Sequence, residues 1–241
     1  MTPLELFKEI DDFCRANGNE TIIKKYARYF KGDYNAFGLT LEQTNSKLTS
    51  LLEEADIDLS LVFRTAPLLL RTGKYEETSF ALHLLISFKK EFSKETFHEF
   101  ERWFETGITN WAHSDFISGE IMQVFFKKGI ITYHDLGKWR AAKNKFQRRA
   151  VPVSLIKELK KTSDYQSYID FIEPLIMDLG REVHQGLGWF LREAWKRKPS
   201  QVEPFLYKWK NKAPRLIFQY ATEKMTPTEK QRFRKEKQRL L

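Results

Sequence analysis

The sequence predicts an all-α fold in which pairs of helices stack as a solenoid. Apolar residues recur at helical spacing along almost the whole chain, whereas the sustained alternation typical of β-strands is scarce. Prolines stand where new helices can begin, at Pro199, Pro214 and Pro227. Helix pairs recur at a spacing of roughly 35–40 residues, which is typical of helical-repeat proteins. We therefore expect a single α-solenoid domain over residues 1–241, with a concave face.

Each helix is predicted from an apolar stripe that is bounded by glycine, proline or polar residues. In the fifth helix, for example, Phe80, Leu84 and Phe88 share one face. The predicted helices, in chain order, span approximately residues 3–16, 20–31, 40–54, 57–71, 75–90, 94–106, 111–127, 131–140, 144–160, 165–178, 181–196, 200–210, 213–224 and 227–239.

The composition is that of an ordinary globular protein. Of 241 residues, 41% are hydrophobic and 30% charged, which excludes collagen-like and wholly disordered chains. The single cysteine, Cys14, cannot form an internal disulfide, and no Cys/His cluster has the spacing of a metal site. The first residues carry acids where a secretory signal carries bases, and no apolar run reaches the ~20 residues of a membrane span. We expect a monomeric, cytoplasmic protein without a metal, a cofactor or a membrane partner.

Positive charge accumulates toward the end of the chain, whose formal net charge is +9. Residues 1–137 hold 16 Lys and Arg against 21 Asp and Glu, residues 138–195 hold 11 against 7, and residues 196–241 hold 14 against 4. A phosphate backbone selects such cationic surfaces. We expect the basic helices of the second half, including 196–241, to line the concave face. A solvated basic tail is the alternative, and an acidic membrane is less favoured because Trp and Phe form no single anchor.

Trp189 lies off the apolar stripe of its predicted helix. That stripe consists of Val183, Leu187, Phe190, Leu191 and Ala194. At 100° per residue, Trp189 instead shares its face with Gln185 and Glu193. A tryptophan among polar side chains is uncommon unless something packs on it, either a ligand or another helix.

Trp111 and Asp115 lie four residues apart on another predicted helix, so their side chains project together. The inward face of this helix is predicted to be Ile117, Ile121 and Val124. Gly119 follows one turn later and leaves space beside the carboxylate. An aromatic ring next to a carboxylate can stabilise a cation, whereas the alternative for Asp115 is a first-turn acid favoured by the helix dipole.

The segment 138–150 interleaves basic and aromatic residues. Its basic members are Lys138, Arg140, Lys143, Lys145, Arg148 and Arg149, and its aromatic members are Trp139 and Phe146. The predicted inward stripe is Phe146, Ala150 and Val153. Arg148 is therefore expected to point to solvent. Arg149 lies at the edge of the stripe and must find an anion, either a phosphate or an internal carboxylate.

Together these segments resemble the AlkD-like DNA alkylation repair glycosylases, a family of HEAT-like helical-repeat proteins. The resemblance runs through Ala27-Arg28-Tyr29-Phe30-Lys31 with a following Phe37-Gly38, Trp111-x-x-x-Asp115, Lys138-Trp139 with Arg149 ten residues later, and Gly188-Trp189-x-Leu191-Arg192-Glu193. It covers most of the chain. The order and spacing of the pieces are more specific than any one of them.

The resemblance implies a HEAT-like solenoid that excises cationic N7- or N3-alkylated purines from double-stranded DNA by hydrolysing the N-glycosidic bond, without a tight base-flipping pocket. It implies that Trp111 and Trp189 pack on the deoxyribose of the lesion, and that Asp115 stabilises positive charge on that sugar and orients water. Tyr29 and Arg149 would contact the strands. Further candidate DNA-binding residues, from the basic segment, are Lys138, Lys143, Lys145 and Arg148.

The chain departs from the family pattern at several of these places. Asn110 stands where a second aromatic residue is common, Gln185-Gly186 stand where Lys-Ala is frequent, and Phe146 replaces a tryptophan. Two alternatives remain open. One is a non-catalytic HEAT-like protein that binds branched or distorted DNA, and the other is a helical-repeat scaffold for proteins.

Overall fold

A computed structural model describes residues 1–32, 34–54 and 56–236, and within these ranges the chain is helical and contains no β-strand. The α-helices, labelled α1 to α15 in chain order, are Pro3–Ala16, Glu20–Ala27, Leu41–Glu54, Leu59–Arg71, Tyr75–Ser87, Lys94–Glu101, Trp103–Thr106, Trp111–Phe116, Met122–Lys127, Lys145–Glu158, Gln166–Ile172, Arg181–Trp195, Pro199–Trp209, Arg215–Ala221 and Pro227–Arg232. The prediction of an all-α fold is confirmed. None of the described helices is both long and apolar enough to span a bilayer.

Several predicted helices are interrupted or shorter than expected. The predicted helix over 94–106 is two helices, α6 and α7. The segment predicted as a helix over 131–140 forms 3₁₀ turns from Tyr133 to Ala141, because a short run containing Gly137 has weak α-helical propensity. The end of the last predicted helix, 237–239, lies outside the described residues.

The chain forms two compact units, Met1–His113 and Ser114–Leu241. The boundary falls inside α8, so Trp111 belongs to the first unit and Asp115 to the second. The two units also differ in charge. The first holds 14 Lys and Arg against 18 Asp and Glu, and the second holds 27 against 14. The single domain over residues 1–241 stays a prediction.

In the first unit, α1 packs against α4 and α5. A capping box between Thr2 and Glu5 starts α1, and its apolar face buries Leu6, Ile10 and Cys14 completely. Since these three residues are spaced four apart, they form one stripe that faces the core.

Glu76 on α5 fixes the loop that precedes α3. Its side chain is 4% exposed and accepts hydrogen bonds from the backbone N–H groups of Phe37, Gly38 and Leu39, at 2.8, 2.7 and 3.2 Å. Gly38 has φ +86°, and a Cβ there would lie 2.2 Å from the carbonyl oxygen of Asn19. Glycine is therefore required where this loop passes the start of α2.

Glu77, the next residue, is fully buried, and its carboxylate oxygens have no hydrogen-bond partner. Burial raises the pKa of Glu77 to about 7, and the nearby Asp11 carboxylate also raises it. At neutral pH the protonated and ionised forms of Glu77 are thus of similar free energy in the folded protein.

In the second unit, α12 packs between α10 and α14. Two glycines in the middle of α12 allow both contacts. A Cβ at Gly188 would lie 2.5 Å from Cβ of Tyr220 and 2.6 Å from the carbonyl oxygen of Ile217, both on α14. A Cβ at Gly186 would lie 3.2 Å from Cγ of Arg149 on α10. Gly188 thus allows α14 to approach α12 closely, and Gly186 does the same for α10. Glycine is found at both positions because a side chain there would separate the helices.

Replacing Glu77 by Gln tests the buried carboxyl. Because the folded-state pKa of Glu77 is raised above its ordinary value of 4.5, its contribution to stability is present below about pH 4.5 and is lost as the pH rises through 7. Glu77→Gln should therefore gain stability relative to the wild type between pH 5 and pH 8, by roughly 1–3 kcal/mol. Thermal melts across this range measure it. Glu76→Gln is the contrast and should destabilise the protein, because an amide offers one oxygen to the three backbone N–H groups that the carboxylate accepts from. A Glu77→Gln difference independent of pH would contradict the assignment.

Replacing Gly188 by Ala tests the contact between α12 and α14. Because two of the atoms that the new Cβ meets are backbone or near backbone, the helices must separate, and we expect a loss of about 1–3 kcal/mol in the free energy of unfolding. Gly119→Ala is the matched control, since nothing lies within 4 Å of its added Cβ. The comparison is made by denaturant unfolding. Equal stability of the two variants would disprove the close packing.

Candidate functional site

An ion pair between Asp115 on α8 and Arg149 on α10 forms the centre of the site in the second unit. Nε and Nη2 of Arg149 donate to the two carboxylate oxygens of Asp115, at 2.8 and 2.9 Å. The side chain of Arg149 is 7% exposed and that of Asp115 is 18% exposed. The anion that Arg149 was predicted to need is therefore an internal carboxylate, and that carboxylate keeps one side open to solvent.

Small hydroxyl side chains hold Asp115 against α10. The buried Ser114 donates from Oγ to the carbonyl oxygen of Phe146 at 2.8 Å. The buried Ser118 shares its hydroxyl hydrogen between the carbonyl oxygen of Ser114 at 2.8 Å and that of Ala150 at 3.3 Å. These bonds lie on either side of Asp115 in the sequence. They allow the two helices to approach closely enough for the short aspartate to reach Arg149.

A π-helical turn follows Asp115 and changes the register of its helix. It spans Ile117–Ile121, and the N–H of Met122 donates to the carbonyl oxygen of Ile117. The predicted inward residue Val124 is consequently only half-buried, whereas Phe125 is fully buried. That part of the prediction is wrong because a π-turn adds one residue to the helical repeat. The side chain of Gln123 donates to the carbonyl oxygen of Ser118, which compensates for part of the altered bonding.

Arg149 also connects Asp115 to α12. Its Nη1 donates to the carbonyl oxygen of Glu182 at 2.8 Å, and its aliphatic stem lies against Gly186. The Glu182 side chain in turn accepts from Lys145 at 2.8 Å. Burial is the largest single influence on the Glu182 carboxyl and raises its pKa. The hydrogen bond from Lys145, a backbone N–H and the positive charges of Lys145 and Arg149 together lower the pKa below its ordinary value.

Trp189 lies on the same side of α12 as Glu182. The two residues are seven apart, which is about 20° short of two full helical turns. The five predicted stripe residues of α12 are all buried, and Trp189 is half-buried, so its position off the stripe is confirmed. One turn before it, Gln185 donates from Nε2 to the Tyr220 hydroxyl at 2.7 Å. Trp189 thus lies about 60° around α12 from Gly186, the residue that the stem of Arg149 approaches.

Arg148 does not point freely to solvent as predicted. Its guanidinium donates to both carboxylate oxygens of Asp178, at 2.6 and 3.1 Å, and to the carbonyl oxygens of Ala142 and Lys143. The side chains of Arg148 and Asp178 are 18% and 8% exposed. The prediction is wrong because the apolar stripe of α10 locates only its most buried face, whereas Asp178, from a later segment of the chain, covers the side that carries Arg148.

The remaining basic segment divides into exposed and structural residues. Lys138, Lys143 and Lys145 are exposed as expected, although Lys145 pairs with Glu182. Trp139 is fully buried and Phe146 is 7% exposed, so both aromatic residues belong to the core. The lysines of segment 138–150 are therefore accessible to a ligand, whereas its two aromatic rings are not.

In the first unit, Trp111 lies on an aromatic cluster. Its ring stacks on Phe30 with 5.5 Å between centroids, and its Nε1 donates to the carbonyl oxygen of Tyr29 at 3.3 Å. Trp111 is 37% exposed and Tyr29 is 55% exposed. Phe30 was part of the resembling segment, but its role as a support for Trp111 was not predicted.

A buried polar network fixes the start of the Trp111 helix. Asn110 accepts from the backbone N–H of His113 at 2.9 Å and donates to its Nδ1 at 2.8 Å. The other ring nitrogen, Nε2, bonds to Ser79 at 2.9 Å. Burial lowers the pKa of His113 to about 3, so the ring is neutral and Nε2 carries its proton. The sequence signal for this network is an asparagine at the start of a helix, a residue type that commonly caps helices.

These groups have a defined chemical capacity. An oriented carboxylate that is partly open to solvent can stabilise a nearby positive charge or hold a water molecule, and half-exposed tryptophan rings can pack on a sugar. Within the described ranges, no three His, Cys, Asp or Glu side chains are grouped so that they could hold a metal ion.

Comparisons with known proteins agree with this architecture. AlkD2 from Streptococcus mutans has a solved structure that aligns with a TM-score of 0.56 at 17% identity, covering 86% of this chain and 99% of that one. The smu.31 protein of Streptococcus mutans UA159 aligns with a TM-score of 0.55 at 18% identity, covering 77% and 93%. These likenesses confirm the helical-repeat fold. No curated protein matches the chain significantly.

The sequence resemblance is confirmed at the level of the family. Residues 12–225 match the family described as DNA alkylation repair enzyme. The match includes both compact units and every residue that was singled out as a candidate for the site. The chain therefore belongs to the DNA alkylation repair enzyme family.

Proposed function

We propose that this protein is a monofunctional DNA glycosylase that releases cationic N7- or N3-alkylated purines from double-stranded DNA. The observation that carries the proposal is the bidentate pair of Asp115 with Arg149. The same guanidinium donates to the carbonyl oxygen of Glu182 on α12, the helix that carries Trp189. An ion pair whose only role is structural does not need a carboxylate that stays partly open to solvent.

The reaction needs little acid catalysis. An alkylated purine already carries positive charge, so when its bond to C1′ breaks, the electron pair moves to the base and neutralises it. The sugar becomes positively charged, and the oxygen of a water molecule then adds to C1′ while a proton leaves. Asp115 has an acceptor site free on each oxygen, since Arg149 uses one per oxygen. The carboxylate would stabilise the sugar cation and orient that water.

Arg149 acts through Asp115 in this proposal. Its own positive charge opposes a cation nearby, so its contribution is to fix the direction of the carboxylate. Three hydrogen bonds to two different elements leave the guanidinium little freedom. Trp189, and Trp111 as the resemblance implies, would pack their rings on the deoxyribose.

Binding of DNA would depend on the excess of basic residues in the second unit. The exposed Lys138 and Lys143 are suited to contact phosphates. Arg148 and Arg149 are less suited, because their guanidinium groups already have carboxylate partners. Tyr29 stays a proposed strand contact of the first unit.

Replacing Asp115 by Asn removes the charge and keeps the size of the side chain. The single-turnover rate of N7-methylguanine excision should fall by ~10²–10³, while affinity for DNA should stay equal or rise. Stability should also fall, because the buried Arg149 loses its anion. Asp178→Asn is the matched control, since it breaks a similar bidentate pair with Arg148 on the same helix. It should lose stability but excise normally.

Two results of this comparison would contradict the proposal. One is undiminished excision by a folded Asp115→Asn variant. The other is wild-type protein that releases no base yet binds branched or distorted DNA, which would favour the non-catalytic alternative. A covalent adduct trapped by borohydride would instead indicate an amine nucleophile and exclude a monofunctional enzyme.

Replacing Arg149 by Lys tests whether Arg149 orients Asp115 or contacts a DNA phosphate. Lysine keeps the positive charge but cannot form the bidentate pair. If Arg149 orients Asp115, the excision rate at saturating enzyme should fall about tenfold or more with little change in Kd. Rates and equilibrium binding are measured on the same preparation. A weaker Kd with an unchanged saturating rate would show that Arg149 contacts DNA phosphate instead.

A further inference from the structure

Helix α2 and the turn after it expose an unusual group of aromatic side chains. Tyr26 is 42% exposed and Tyr29 is 55% exposed, with 6.5 Å between their ring centroids. None of the eight described residues of α2 is fully buried. These rings therefore lie outside the fully buried core, and exposed aromatic surface of this kind usually binds something.

The same segment is strongly basic within an otherwise acidic unit. Residues 21–32 contain four Lys and Arg and no Asp or Glu. The Lys25 ammonium lies 5.5 Å from the centroid of the Tyr26 ring, and the Arg28 guanidinium lies 4.8 Å from that of Tyr29. Arg28 also donates to the Tyr29 hydroxyl at 2.9 Å. Each tyrosine thus has a cation over one face of its ring, and both cationic residues are exposed to solvent.

We propose that Tyr26 and Tyr29, with Lys25 and Arg28, form a stacking platform for unpaired nucleotides of single-stranded DNA. Ring faces at the surface allow bases to stack without regard to sequence, and adjacent cations attract the phosphates between them. The platform needs no alkylated base, so it goes beyond the proposed excision reaction.

Charge and shape favour this occupant over a membrane. A membrane anchor buries aliphatic and Trp or Phe side chains in the acyl boundary. In α2 the aliphatic residues Ile22 and Ile23 are only partly exposed and the exposed rings are phenols. The Tyr29 hydroxyl accepts a hydrogen bond from Arg28. Such a polar group suits a ring that stacks on a base with one face while its edge stays in contact with water.

Trp111 contacts the backbone of the platform and fixes the position of one of its tyrosines, Tyr29. The carbonyl oxygen of Tyr29 accepts from Trp111, and Phe30 stacks on that indole. The backbone that carries Tyr29 is therefore fixed, while Tyr26 stands one helical turn away on the free surface. Tyr26 is the residue whose replacement tests the platform without disturbing Trp111.

The test measures binding of a lesion-free oligo-dT of about 15 nucleotides by fluorescence anisotropy. Tyr26→Ala should weaken the affinity by roughly fivefold or more, whereas Tyr26→Phe, which keeps the ring, should stay within about twofold. The matched control is Tyr207→Ala. Tyr207 is also an exposed tyrosine with cations beside its ring, but it lies in the second unit, and its loss should change nothing.

A separate single-stranded oligonucleotide that contains one 2-aminopurine reports stacking directly, because the fluorescence of 2-aminopurine falls when the base stacks. The wild type and Tyr26→Phe should quench it, and Tyr26→Ala should quench it less. The platform is refuted if Tyr26→Ala binds oligo-dT like the wild type, or if Tyr26→Phe loses as much affinity as Tyr26→Ala.

A membrane role is the other outcome of the test. Vesicles of phosphatidylcholine and phosphatidylserine in a 4:1 ratio are offered to the same variants. Binding to vesicles that depends on Tyr26, without binding to oligo-dT, would overturn the proposal. Because no assay contains an alkylated base, failure of the platform and failure of the excision proposal are read independently.

Discussion

The buried guanidinium of Arg149 is the interaction on which the second unit's site depends. It extends from α10, satisfies both carboxylate oxygens of Asp115 on α8 and reaches the backbone of α12 at Glu182. Three helices far apart in sequence are thereby fixed at one point. A planar donor with a rigid fork can do this, whereas a lysine supplies a point charge without defined directions.

The buried pair of Asp115 and Arg149 has an energetic cost and a geometric benefit. A buried ion pair contributes little net stability because both charges lose their water. What it supplies is geometry, because the carboxylate cannot rotate without breaking hydrogen bonds. Gly186 belongs to the same design, since a larger side chain at that position would press on the stem of Arg149. The glycine at this position therefore leaves the stem of Arg149 room to pack against α12.

The first unit positions its aromatic residues by a different principle. His113 is buried and neutral, with both ring nitrogens in hydrogen bonds, and its partner Asn110 caps the helix that begins with Trp111. Because burial lowers the pKa of His113 to about 3, this network carries no charge at neutral pH. The asparagine that stands in place of a second aromatic residue is therefore a structural element of the helix start.

The sequence by itself determined the helical fold, most helix positions, the apolar stripe of α12 and the position of Trp189 beside it, because these follow from the period of a single helix. It also showed that Arg149 needed an anion. Only the tertiary structure decided which anion that was, that Arg148 is held by Asp178, and that Phe125 replaces Val124 in the core. Such outcomes depend on residues from other helices or on a π-turn, and the periodicity of one segment contains no information about either.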